Sequence, residues 1–167
     1  MRTPTTEVVP PSTSPGARAV PLAHSAHLQD TQREVSQQNV EVVRRIYATG
    51  AFDRFELGAL LAPDFEYVNP ADAIEPGVRR GINEVETALR RAADAFDVLE
   101  HRATRLFDAG ASVVAEVTFR ARGSASGAEL EQEEVHTWTF RDGKVVRVEW
   151  GRDLVQALKA AGLEESR

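Results

Sequence analysis

Glu134, His136, Trp138 and Phe140 stand at alternate positions in one run, Glu-Val-His-Thr-Trp-Thr-Phe. In an extended chain alternate residues share a face. A carboxylate, an imidazole and two aromatic rings therefore line up together. An imidazole near its ordinary pKa of ~6.5 can donate, accept or relay a proton at neutral pH. A neighbouring carboxylate fixes which ring nitrogen carries that proton. This is equipment for general acid–base chemistry. The same face rule groups Phe65, Tyr67 and Asn69 in the run ending at Pro70. Asn69 can orient a carbonyl or a water, but an amide takes no proton at neutral pH. Each residue also has a plainer role. His136 serves equally as a hydrogen-bonded structural histidine, Asn69 as a turn residue bonding its own backbone, and the aromatic set as core filling.

The elements that must position these side chains can be read from periodicity. A first helix spans about Ser36 to Thr49, with Ser36 as its cap. Val40, Val43, Ile46 and Tyr47 form its apolar stripe, and Gly50 follows as a stop. A short second helix is predicted from Asp53, with Glu56 in capping-box position, and it ends at Pro63. A strand follows over 64–69, then a loop over 70–81 rich in Pro and Gly. A third helix covers about Ile82 to Phe96, with Phe96 on its buried stripe. From about Val98 the period becomes two, with strands at 98–107, 112–122, 129–140 and 144–151. Asp142-Gly143 suits a type I′ hairpin turn. A last helix runs from Asp153, its cap, to Ala161, with Gly162 as its stop.

The resulting order, α-α-β-α-β-β-β-β-α, is an α+β fold. A curved antiparallel sheet would wrap around the N-terminal helices and leave a cavity against its concave face. The expected lining is Tyr47, Phe65, Tyr67, Asn69, Phe96, Glu134, His136, Trp138 and Trp150. This aromatic, mostly uncharged set suits a flat or cyclic apolar ligand with one or two polar groups. Val114, Glu116, Thr118, Thr137, Thr139 and Arg147 fall on the outer face, as a wet interface or as solvated surface.

Composition sets the outer bounds. A chain of 167 residues, 42% apolar, allows one ordinary domain, assigned to 36–163. There is no cysteine, so no thiol chemistry and no disulfide framework. The formal net charge of −6 argues against nucleic acid as a partner. No apolar run spans a membrane, and no basic-then-apolar leader opens the chain. The expectation is a cytoplasmic protein. Residues 1–35 are expected to be a disordered tail, holding five of the eight prolines. Within it His24 and His27 lie three apart, as solvated side chains or, less plainly, a metal pair. The segment from Val35 reads like a natural protein start, so Val35 is the expected true first residue. The last residues, 164–167, form a C-terminal end.

The segments Ser36–Tyr47, Leu60–Tyr67, Val135–Trp150 and Asp153–Leu163 resemble the SnoaL-like polyketide cyclase group. That group belongs to the nuclear-transport-factor-2-like superfamily, with ketosteroid isomerases and limonene-epoxide hydrolases. The resemblance covers 36–163 and implies a cone-shaped fold, a pocket at its open end, frequent homodimers through the outer sheet face, and no metal or organic cofactor. It places His136 where ketosteroid isomerases carry an oxyanion-hole acid, Asn69 where they carry the general base, and Tyr47 near their hydroxyl donor. Trp150 stands where the hydrolases carry an aspartate, which departs from their pattern. The resemblance thus implies a binder of a small apolar, carbonyl-bearing molecule. It would act as a cofactor-independent isomerase, cyclase or hydratase, with His136 as acid/base and Asn69 or Tyr47 as polariser. The alternative is a non-catalytic ligand-binding or dimerising structural domain.

Overall fold

The computed structural model describes residues 22–73 and 75–164, with side-chain surroundings from residue 26 onward. Its elements are α1 (Leu22–Ala48), a single 3-10 turn (Gly58–Leu60), β1 (Leu61–Asn69), β2 (Gly77–Arg80), α2 (Ile82–Ala93), β3 (Phe96–Ala109), β4 (Ser112–Gly123), β5 (Glu129–Arg141), β6 (Lys144–Gly151) and α3 (Leu154–Ala160). The six strands form one curved, unclosed sheet in the order β2-β1-β6-β5-β4-β3. This is the expected α+β architecture. Its sheet is mixed rather than wholly antiparallel, because β1 runs parallel to β6, with Tyr67 opposite Val148. No helix among the described residues is long and apolar enough to cross a membrane.

α1 begins at Leu22, upstream of the expected start at Ser36. Residues 26–35 are all exposed, and burial starts at Ser36. Over 26–35 the added turns are solvated helix, held by backbone bonds rather than by packing. Ser36 is therefore not a cap. It lies mid-helix, buried, and its Oγ donates back to the Arg33 carbonyl at 2.9 Å. Further along, Val43, Ile46 and Tyr47 face the sheet and are buried, as the stripe predicts. The buried Asn39 side chain donates to the Gly110 carbonyl at 3.2 Å, tying α1 to the β3–β4 turn.

The second helix does not form. Residues 49–55 make a sequence of tight turns instead, with Phe55 at a φ of 56°. A non-glycine residue there is strained, and Gly58 interrupts the helical pattern just beyond. The loop over 70–81 contains the short strand β2, antiparallel to β1. Asp142 (φ 51°) and Gly143 (φ 74°) have the two positive angles of a type I′ turn, as expected. Asp153 caps α3 by accepting from Gln156 N at 3.0 Å. Inward residues of β4 (Val113, Ala115, Val117) and β5 (Trp138, Phe140) pack under α1 with Phe65, Val145 and Val148. On the opposite face Val114 is also fully buried, contrary to the expectation of an outer, exposed residue. Phe107 on β3 and Thr137 on β5 flank it in register.

Candidate active site

A chain of polar groups crosses this apolar core. Trp138 Nε1 donates to the Tyr47 hydroxyl at 3.0 Å. The same hydroxyl lies 2.7 Å from His136 Nδ1. An indole N–H only donates, and a phenol has one proton. Having accepted from Trp138, Tyr47 donates to Nδ1. The proton of the neutral His136 ring therefore sits on Nε2, which donates to Glu134 Oε2 at 2.8 Å. Glu134 Oε1 accepts from Gln132 Nε2 at 2.6 Å. His136 and Glu134 are 1% and 5% exposed. They sit two apart on the inner face of β5, as alternation predicts.

Burial sets the protonation states. It pushes the His136 imidazolium below its usual pKa, and the Glu134 hydrogen bond only partly offsets this. The ring is neutral at neutral pH. Burial by itself pushes the Glu134 carboxyl up. Hydrogen bonds from His136 and Gln132, with electrostatic attraction toward the two imidazoles, outweigh it and hold Glu134 below the usual carboxylate value. Tyr47 is pushed well above the usual phenol value, chiefly by burial. It acts as a neutral hydroxyl.

Two further residues complete the site, and the sequence reading missed both. His101 on β3 points its Nε2 at Glu134 Oε2, 3.7 Å away. Its Nδ1 lies 2.7 Å from Asp53 Oδ1. Its backbone N–H also reaches the Asp53 carboxylate, at 3.1 and 3.2 Å. The sequence pattern assigns Asp53 to a helix start; in the structure its carboxylate reaches across the fold to His101 instead. The available signal was alternation on β3, which puts His101 on the inward face with Leu99 and Ala103. Phe119 stacks on His101 with centroids 4.6 Å apart.

The expected cavity between sheet and helices is filled with rings. Phe52, from the turn beside Asp53, stands edge-on to His101 at 4.9 Å and lies 5.4 Å from His136. It also meets Tyr47 and Trp138, each at 5.8 Å. Phe65 and Tyr67 belong to the same buried core. Burial raises the pKa of Tyr67 too. Its hydroxyl has no hydrogen-bond partner among the described residues. Asn69 joins a separate group, accepting from Trp150 Nε1 at 2.7 Å and donating to the Glu75 carbonyl at 2.8 Å. Trp150 is partly buried against the core. Phe96 is half-buried at the first position of β3 rather than on α2, and lies outside the core cluster. Two concavities of about 570 and 280 Å³ lie away from the network. The larger is a charged groove on the face opposite the core, lined by Glu66, Arg80, Arg141 and Arg147 among others. Of the tail histidines, His27 is exposed, while the His24 side chain lies outside the described surroundings.

Residues 33–148 match the family model of the SnoaL-like domain. Among solved structures, a nuclear-transport-factor-2-like protein of unknown function from Burkholderia pseudomallei is 25% identical, with a TM-score of 0.60 over 73% of this chain and 95% of that one. A putative SnoaL-like polyketide cyclase from a Jannaschia species is 20% identical, with a TM-score of 0.61 over 77% and 94%. A hypothetical protein with a ketosteroid isomerase-like fold from Catenulispora acidiphila, in complex with trimethylamine, is 18% identical, with a TM-score of 0.57 over 74% and 92%. No curated protein matches the chain.

Proposed function

The chain belongs to the SnoaL-like domain family, and from that premise we propose that it binds a small apolar molecule bearing a carbonyl and moves a proton on it, with His136 as the acid/base. The observation that carries this reading is the buried line Trp138–Tyr47–His136–Glu134. Hydrogen-bonded polar groups at the centre of an apolar core cost stability unless fully satisfied. Their convergence there favours a chemical use. Neutral His136 takes a proton at Nδ1 if Tyr47 turns its hydroxyl to the ligand carbonyl, and Glu134 stabilises the resulting imidazolium through Nε2. Asn69, with both amide atoms engaged elsewhere, gets no part in the transfer.

Entry requires the Phe52 ring to leave. The turns at 49–55 that carry it are short, and Gly50 and Phe55 sit at positive φ. Such a segment is a hinge candidate. The second reading, a non-catalytic binding or dimerising domain, draws on one observation: Phe52 and Trp138 occupy the interior that a ligand would need.

The test is α-proton exchange in D2O on a panel of cyclic ketones, followed by NMR, with the wild type and His136→Gln compared at matched fold content. Exchange in the wild type that falls by about 10²–10⁴-fold in the variant supports the proposal. Equal rates in both proteins, or no bound ketone at millimolar concentration, leave the second reading.

A further inference from the structure

We propose that His101, Glu134 and His136 form a binding site for a single divalent cation of the zinc type. Three observations carry this, and none depends on the acid/base reading above. The first is convergence. One ligand atom from each residue, two imidazole nitrogens and a carboxylate oxygen, lies within 4.8 Å of the others. His136 Nε2 and His101 Nε2 stand 2.8 and 3.7 Å from Glu134 Oε2. Ligands held about 2.0–2.1 Å from a tetrahedral zinc are roughly 3.3 Å apart. Those two separations bracket that value, and the third, between the two imidazole nitrogens, is within 4.8 Å, so shifts on the order of 1 Å bring the three into a coordination shell.

The second observation is the outer ring of partners. Each ligand has its remaining polar atom fixed by another side chain. Asp53 holds His101 Nδ1 at 2.7 Å. Gln132 holds Glu134 Oε1 at 2.6 Å. Tyr47 holds His136 Nδ1 at 2.7 Å. A carboxylate on the far nitrogen of a ligating histidine sets the tautomer and aims the other nitrogen at the metal. For His136 the neutral ring shifts its proton from Nε2 to Nδ1, with none gained or lost. The Tyr47 hydroxyl then accepts from both Nδ1 and Trp138 Nε1 and turns its own proton away from the ring.

The third observation is charge. His101 spends Nδ1 on Asp53 and aims Nε2 at the Glu134 carboxylate, 3.7 Å away and beyond hydrogen-bond distance. Among the described residues neither Glu134 nor Asp53 pairs with a Lys or Arg; their only ion-pair partners are the two histidines. The two inner carboxylates therefore lack a fixed countercharge. Phe52 closes the side left open by the three ligands, where a fourth ligand, water or substrate, would stand. The two roles of His136 exclude one another, because the cation takes the Nε2 lone pair.

The test uses the full-length protein dialysed against chelator, titrated with Zn2+ by calorimetry and with Co2+ by visible absorption. One equivalent should bind, with the intense bands of a low-symmetry Co2+ site. Of the four histidines in the chain, His24 and His27 lie in the first turns of α1, away from the cluster, so His24→Ala/His27→Ala must leave stoichiometry and affinity unchanged. His101→Asn should abolish the Co2+ bands. Asp53→Asn, which keeps every ligand and guards against misfolding in the first variant, should weaken affinity about 10–100-fold. Absence of stoichiometric binding to folded protein, binding lost with His24 and His27, or binding unchanged in both His101→Asn and Asp53→Asn would overturn the proposal.

Discussion

Replacing Tyr47 with phenylalanine removes one oxygen and strands two buried groups. Trp138 Nε1 loses its acceptor at 3.0 Å and His136 Nδ1 loses its donor at 2.7 Å. Leaving a buried donor or acceptor unsatisfied costs about 1–3 kcal/mol each. The pair predicts a loss of about 2–6 kcal/mol, against a whole-domain stability of roughly 5–15 kcal/mol. Tyr67→Phe is the internal control. Tyr67 is as buried, at 9% exposed against 8%, but its hydroxyl has no described partner. Its loss should cost under about 0.5 kcal/mol. Urea unfolding followed by tryptophan fluorescence reads both variants, with unchanged m-values required for the comparison. Equal costs within about 0.5 kcal/mol would refute the reasoning. The Trp138–Tyr47–His136 line would then carry no net stability, and the tautomer deduced from it would lose its basis.

The two tyrosines of the chain are Tyr47 and Tyr67, and burial raises the pKa of each. The folded state therefore holds phenol protons that the unfolded chain gives up above about pH 10. Their contribution is complete below that pH and is lost as pH rises above it. Tyrosinate absorbance should appear only together with unfolding, and a smooth titration in folded protein would contradict the burial argument. The homodimer through the outer sheet face that the resemblance implies should show twice the chain mass in light scattering. There Arg147 bridges Glu66 and Glu149, so Arg147→Glu sets three acids together and should yield monomers. A monomeric wild type removes that expectation.

The helices and strands that pack were legible because packing leaves a period. Val43, Ile46 and Tyr47 on α1, and Glu134, His136 and Trp138 on β5, all fall on the faces that spacing assigned. What escaped the sequence lacks such a period. The helix over 26–35 buries nothing, so no apolar stripe marks it. Asp53 and Glu56 imitate a capping box, but the Asp53 carboxylate bonds a histidine 48 residues away. Local spacing cannot encode a partner at that distance. Tyr47, Glu134, His136 and Trp138 are legible from spacing as residues that share the inner face. His101 is not, because β3 alternates weakly and its inward face is only half buried. The filled interior escaped for a related reason: Phe52 lies between elements, where neither helical nor strand periodicity assigns a direction.

The parallel pairing of β1 with β6 also bears on synthesis. Glu66 and Arg147, joined by a hydrogen bond, are 81 residues apart. Until β6 leaves the ribosome, β1 has only the short β2 beside it, and its other edge stays open. At about 5–20 residues per second that interval lasts roughly 4–16 s. An uncovered strand edge invites pairing with other chains. The nascent protein is therefore most exposed to aggregation just before its last strand appears, and chaperone capture during translation should centre on β1.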